Sequence, residues 1–242
     1  MTDTSDQPAI TSKPVISVVA PAFNEAAILA DSVRQLLAYF DSLSNDYDWE
    51  LVIVNDGSSD RTGEIAAELA SDEERIVLKE HRGNRGVGEA LKTGISATRG
   101  DYVATIDIDL SYSPDHIRRM VEEIRDKDAT VVLASPYMEG GQLTSVPKFR
   151  QFLSIWANRF LKIFARGNLS TITSMVRAYD GEYIRSLALR STSLDIMPEM
   201  VYKTMILRGR IEQIPAHLDW SAQVEAGAGR TSSMRIIRQI IS

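Results

Sequence analysis

Tyr102-Val-Ala-Thr-Ile106 runs without interruption into Asp107-Ile-Asp109-Leu110. Val103, Ile106 and Ile108 cannot all face water, so the run reads as a buried strand, and the two aspartates fall where that strand leaves its sheet. In open α/β sheets, ligands bind outside the carboxyl ends of the strands. Two carboxylates at i and i+2 on an irregular strand end can converge on one divalent cation. Hard oxygen ligands suit Mg²⁺ or Mn²⁺, and either ion can also carry phosphates. Asp-x-Asp is common and is elsewhere a turn with two solvated acids, so its neighbours in the chain decide its meaning.

Upstream, Val15 to Ala20 is a short apolar strand ending at Pro21-Ala-Phe-Asn-Glu25. Proline is expected to stop the ladder and Asn24 to cap the next helix, whose apolar positions run from Ile28 to Phe40. Glu50 to Val54 is a second strand leading into Asn55-Asp-Gly-Ser-Ser-Asp60. Gly57 permits a tight turn there, and Asp60 is the expected N-cap of a helix through Leu69. Ile76 to Leu78 is a third strand. Arg82-Gly-Asn-Arg-Gly-Val-Gly88 then opens a helix to about Thr98 and reads as an anion site at a helix N-terminus. It has neither Walker A nor dinucleotide-fingerprint spacing.

Downstream, Ser113-Pro114 starts a helix to about Arg125, and Thr130 to Ala134 is a fifth strand ending at Ser135-Pro-Tyr137. Strands alternating with helices imply an α/β fold with a mostly parallel sheet and helices on both faces. Lys148 to Ala165 carries a broad aromatic face with basic flanks. As a helix it suits either a membrane interface or the core with solvated charges. Thr171 to Ala178 reads as a strand, Glu182 to Leu189 and Met197 to Leu207 as helices, and Arg210 to Leu218 as a last strand. From Asp219 the composition turns to Gly, Ala, Ser and Gln, which suggests a mobile tail.

The 242 residues suffice for one large domain, with residues 1–13 expected to be disordered. A net charge of -6 argues against bulk attraction to nucleic acid. The chain has no cysteine, which excludes disulfides and thiol chemistry. Met1 to Lys13 lacks the apolar core of a signal peptide, and no run approaches the ~20 apolar residues of a membrane-spanning helix. Met234 to Ser242 is an amphipathic pattern cut off midway, so a longer protein continuing into membrane segments is expected. His81, His116 and His217 are scattered and read as structural or solvated.

The three strand ends, Pro21 to Glu25, Asn55 to Asp60 and Asp107 to Asp109, can line one crevice with carboxylates for a metal and main-chain donors for phosphate. In this order the trio resembles the family 2 glycosyltransferases of the GT-A fold. Asn84-Arg-Gly86, Ser135-Pro-Tyr137 with Gly140-Gly141, and Pro198-Glu199 ahead of Tyr202-Lys203 are similar to features of the polyprenyl- and dolichyl-phosphate mannosyl- and glucosyltransferases. The resemblance spans about Val15 to Leu218. It implies an inverting, metal-dependent (Mg²⁺ or Mn²⁺) transfer from a UDP- or GDP-sugar to a polyprenyl phosphate, at the cytoplasmic face of a membrane.

By the same resemblance, Pro21, Ala22, Phe23 and Glu25 border the nucleoside and Asp56 bonds the base. Asp107 lies near ribose and metal, and Asp109 holds the metal on the diphosphate. Ser135, Arg177, Arg230 and Ser232 form the acceptor and diphosphate set, with Arg177 beside the acceptor phosphate. Either arginine could instead be a plain surface charge. The chain departs from the pattern at Ser111, where glutamine is usual, and at Pro136, where arginine is usual. Two alternatives remain open: transfer to a glycan or protein hydroxyl, with Glu199 or Asp195 as an essential base, and a nucleotide- or membrane-binding module without turnover. Glu199 could orient Arg177 or Lys203, or be a plain acid near a helix N-terminus.

Overall fold

The computed structural model describes residues 13–147 and 169–221. The expectations for residues 1–12, for the 148–166 helix and for the tail beyond Ser221, including Arg230 and Ser232, lie outside the described residues.

A seven-stranded sheet organises the chain, in the order β3-β2-β1-β4-β7-β5-β8. Its strands are β1 (Val15–Ala22), β2 (Asp48–Asn55), β3 (Ile76–Glu80), β4 (Tyr102–Thr105), β5 (Val131–Ser135), β7 (Arg177–Asp180) and β8 (Ile211–Pro215). All neighbours pair in parallel except β7, which is antiparallel to both β4 and β5. A two-stranded ribbon of β6 (Gln142–Thr144) and β9 (His217–Asp219) is separate.

Alternation within the strands feeds two cores. Ile16, Val18, Ala20, Leu51, Ile53, Ala104 and Ile106 face one side, packed under α1 (Leu29–Ser42), α2 (Thr62–Asp72) and α4 (Asp115–Lys127). Val19, Val52, Val54 and Val103 face the other, under α3 (Val87–Ala97), α5 (Gly181–Ser186) and α6 (Ile196–Ile206). Strands buried on both faces read as continuous apolar runs, which is why the sheet was legible in the sequence.

Five local expectations are corrected. β1 does not stop at Pro21 but pairs through Pro21 to Ala22 with β2. Ile106 donates its N–H to the Val19 carbonyl and Asp56 donates to that of Ala22. Pro21 therefore turns its missing N–H toward the β4 side, beyond the last residue paired there. The strand expected from Thr171 begins only at Arg177, and the helix expected to Leu189 ends at Ser186. The last strand splits at Ala216, whose N–H donates to Ser135 while its carbonyl accepts from Gln142, so the chain passes there from the main sheet to the ribbon. Asp219, taken from composition as the start of a tail, ends a strand, and Trp220 after it is buried.

Candidate active site

From β1 the chain moves outward to β2 and β3, then returns across β1 to β4. The reversal falls between β1 and β4, and a crevice at such a switch point opens at the strand carboxyl ends. The three segments singled out in the sequence all lie at those ends.

The β1 and β2 loops are laced together. Asn24, at a positive φ of 59°, accepts the Ser59 N–H on its side-chain oxygen at 2.8 Å and donates its own N–H to Ser58 Oγ at 3.0 Å. Asn24 thus ties two loops rather than capping α1, whose N-cap position is Ile28. Glu25 N–H donates to Thr62 Oγ1 at 2.8 Å, and Asp60 accepts from the Ala26 and Thr62 N–H groups. Asp60, expected as the N-cap, thus bonds the first residue of α2 from one position before its N-cap, which is Arg61. Pro21 and Phe23 are half-buried along this rim, and Ala22 is buried.

Asp56 occupies the end of β2 and is enclosed. Its Oδ1 accepts from His81 Nδ1 at 2.6 Å and from the Arg85 N–H at 2.9 Å, and Oδ2 accepts from the Gly86 N–H at 2.9 Å. The glycine-rich loop was expected to hold an external anion. Three of its donors are instead taken within the protein: Asp56 accepts from Arg85 and Gly86, and the Thr192 carbonyl accepts from Gly88 as well as from Glu89 on the helix. The anion at this helix N-terminus is the Asp56 carboxylate itself. The loops close because of two glycines. A Cβ on Gly57 (φ +67°) would lie 2.1 Å from the Gly83 carbonyl carbon, and one on Gly86 (φ +94°) would lie 2.5 Å from the Thr192 oxygen.

His81 is the residue that sequence reading underrated. Its side chain is only 4% exposed, and Nε2 meets Thr93 Oγ1 at 2.9 Å. The signal was the parallel register: Asn55 pairs with Glu80, so the next residue of each strand, Asp56 and His81, must also be neighbours.

Asp107 to Leu110 form a turn closed by the Leu110 N–H on the Asp107 carbonyl at 3.1 Å. Ile108 enters the core, while Asp107 and Asp109 stay half-exposed. Asp109 also accepts the Ser111 N–H at 2.9 Å. Beside them, the Tyr112 hydroxyl is held well above its ordinary pKa, first by burial and then by the charges of Asp107 and Asp109, against a hydrogen bond with Ser174. Among the described residues no group of three or more His, Asp or Glu converges on one point. Asp107 and Asp109 themselves are two half-exposed carboxylates one residue apart on this turn. That donor set fits Mg²⁺ or Mn²⁺ shared with a phosphate.

The remaining expected residues lie deeper. Arg177 is wholly buried. Nε donates to the Ser174 carbonyl at 2.5 Å, Nη1 to Met197 at 2.7 Å and Nη2 to Ile172 at 2.5 Å. In this arrangement the guanidinium braces a turn and the start of α6, and it presents nothing to a phosphate in the crevice. Ser135 is buried too, its Oγ 2.5 Å from Ser170 Oγ. Glu199 accepts from the Arg190 and Ser191 N–H groups and from Lys203 Nζ at 2.6 Å. Burial works to raise its pKa, but these bonds, Lys203 foremost, outweigh it and bring the carboxyl down to about 2. Of the roles open to Glu199, the structure realises the pairing with Lys203.

Comparison with known proteins agrees with this architecture. The family model for glycosyl transferase family 2 matches residues 17–187. Dolichyl-phosphate beta-glucosyltransferase ALG5C of Trichomonas vaginalis is 28% identical over 153 residues, 60% of this chain and 45% of that protein. Dolichol-phosphate mannosyltransferase of Pyrococcus furiosus is 29% identical over 139 residues, 57% of this chain and 38% of that protein. The chain thus spans less than half the length of these relatives. The crystal structure of glucosyl-3-phosphoglycerate synthase from Mycobacterium tuberculosis with Mn²⁺, UDP-glucose and phosphoglyceric acid superposes with a TM-score of 0.64. It is 22% identical and covers 85% of this chain and 70% of that one. The fold is the GT-A, Rossmann-like α/β fold.

Proposed function

The chain belongs to glycosyl transferase family 2, and we propose that it moves a sugar from a nucleoside diphosphate sugar to a polyprenyl (dolichyl) phosphate at a membrane surface, inverting the anomeric carbon. One observation carries this reading: the β1, β2 and β4 ends meet at the switch point with a half-exposed carboxylate pair, Asp107 and Asp109, beside a rim of Pro21, Ala22, Phe23 and Glu25.

On this reading the rim borders the nucleoside, Asp56 meets the base, and Asp107 and Asp109 hold Mg²⁺ or Mn²⁺ on the diphosphate. The cation supplies charge neutralisation for the leaving diphosphate. The protein's own contribution is to hold donor and acceptor in line and to keep water from the anomeric carbon. A lipid phosphate is already anionic near neutral pH and needs no general base to attack. The names of two relatives, a dolichyl-phosphate glucosyltransferase and a dolichol-phosphate mannosyltransferase, support this acceptor class.

A hydroxyl acceptor would need a base. Glu199, with its pKa near 2 and its oxygens committed to the 190–191 main chain, is poorly suited to that role. Arg177 acts here as a brace beneath the site, and acceptor contacts by Arg230 and Ser232 remain part of the proposal.

The test is a thermal-shift series with UDP, GDP and their sugars, each with and without Mn²⁺, on the wild type and Asp109→Asn. Transfer of labelled sugar to a polyprenyl phosphate follows. A metal-dependent shift, lost in Asp109→Asn, together with labelled lipid is expected. A shift without transfer to any acceptor would favour a binding module.

A further inference from the structure

Within the crevice as read above, we propose that His81 selects the base: by filling one oxygen of Asp56 it leaves that carboxylate a single acceptor position, which takes uracil in preference to guanine. This inference rests on the nucleotide reading of the site.

A carboxylate has about four acceptor positions, two on each oxygen. Both positions on Oδ1 are used, by His81 Nδ1 and the Arg85 N–H, and one on Oδ2 is used by Gly86. Among the described residues, one position on Oδ2 remains. The Asp56 side chain is only 4% exposed, so a ligand meets it at an edge.

Uracil presents one ring N–H between two carbonyls, which is a one-point donor. Guanine presents a ring N–H and an amino group side by side, a pair that a carboxylate with both oxygens open would grip bidentately. Against Asp56 one of these guanine donors stays unpaired in a desolvated pocket, which weakens binding about five- to 150-fold. Cytosine and adenine set an amino donor beside a ring-nitrogen acceptor, so pairing through the amino group brings that lone pair toward the same carboxylate and weakens binding. The expected order is UDP, then GDP, then CDP and ADP.

His81 is held in this role from two sides. Its N–H donates to the Asn55 carbonyl at 2.9 Å, extending the β2–β3 pairing, and Nε2 meets Thr93 Oγ1 on α3. A swing of the ring that freed Oδ1 would break the contact with Thr93 and expose a buried imidazole. Arg85 and Gly86 supply main-chain donors that no side-chain substitution removes. His81 is therefore the one replaceable donor among the three.

The test is titration calorimetry of UDP, GDP and CDP, each with Mn²⁺, on the wild type, His81→Leu and His81→Asn. The wild type is expected to prefer UDP over GDP by at least about fivefold, the lower bound for one unpaired donor. His81→Leu opens a position on Oδ1 and should narrow that ratio severalfold, chiefly by tighter GDP binding. His81→Asn restores a short N–H donor and should keep the ratio near the wild-type value. GDP binding as tight as UDP in the wild type would overturn the inference while leaving the nucleotide reading intact. An unchanged ratio in folded His81→Leu would overturn the part given to His81. If His81→Leu does not fold, the wild-type ratio and His81→Asn decide. Failure of the folded wild type to bind any of the three would overturn the nucleotide reading, and this inference with it.

Discussion

Replacing Arg177 with methionine separates two roles for one residue. In the structure the guanidinium makes three hydrogen bonds, of 2.5, 2.7 and 2.5 Å, to the carbonyls of Ser174, Met197 and Ile172. Bonds from a charged donor are each worth roughly 1.5–3 kcal/mol, so the gross loss is about 5–9 kcal/mol. Part returns, because methionine fills the space of the stem and the cost of burying a cation disappears. A net destabilisation of about 3–5 kcal/mol remains, comparable with breaking other buried charged contacts. For a domain of this size that lowers Tm by roughly 10 °C or somewhat more. The assay is urea unfolding followed by the fluorescence of the three tryptophans, paired with acceptor KM at a temperature where the variant is folded. Arg177→Lys keeps the charge but has no planar fork, and should fall between the two. A residue that merely contacts the acceptor phosphate would instead raise KM with stability changed by less than about 0.5 kcal/mol, as for surface substitutions. A loss of stability below about 1 kcal/mol in Arg177→Met would refute the bracing role.

Three further predictions follow from the same geometry. Gly57→Ala forces a Cβ to within 2.1 Å of the Gly83 backbone at a positive φ, so it should cost about 2–4 kcal/mol, read as a lowered urea midpoint, and weaken nucleotide binding. His116 Nδ1 lies 2.7 Å from the Ser113 carbonyl, and Nε2 accepts the His217 N–H at 3.2 Å. Burial, and then the charge of Arg119, lower its pKa against the Ser113 bond and Asp115, so it contributes stability above the unfolded value near 6.5 that is lost as pH falls through the lower folded value. The urea midpoint should therefore drop between pH 7 and pH 5, with a shallower drop in His116→Phe. Glu199→Gln should remove the part of acid sensitivity that appears as pH falls from about 4.5 toward 2, since the carboxyl is at about 2 when folded. It should also loosen the Arg190–Ser191 segment, measured as faster hydrogen exchange at those two amides.

Periodicity and punctuation alone settled much of this protein. Apolar runs such as Glu50 to Val54 and Tyr102 to Ile106 announce strands buried on both faces, and their alternation with amphipathic helices announces a mostly parallel sheet. The acids at the strand ends were visible as well, because a strand carrying Asp107-Ile-Asp109 must leave the sheet there. Those signals are local: each depends on residues a few positions apart, whose burial preferences do not change with the rest of the chain.

What lay beyond the sequence depends on partners far apart in the chain. Nothing near Arg177 reveals that its charge is satisfied by main-chain carbonyls, one of them 20 residues away on α6. An arginine in a polar segment reads equally well as a ligand. Likewise the glycine-rich loop advertises free N–H donors, but only the fold brings Asp56 across 29 and 30 residues to occupy them. Sequence pattern determines which groups want to be buried or paired, whereas the identity of the pair is decided by strand order and register, which place distant loops within hydrogen-bonding distance.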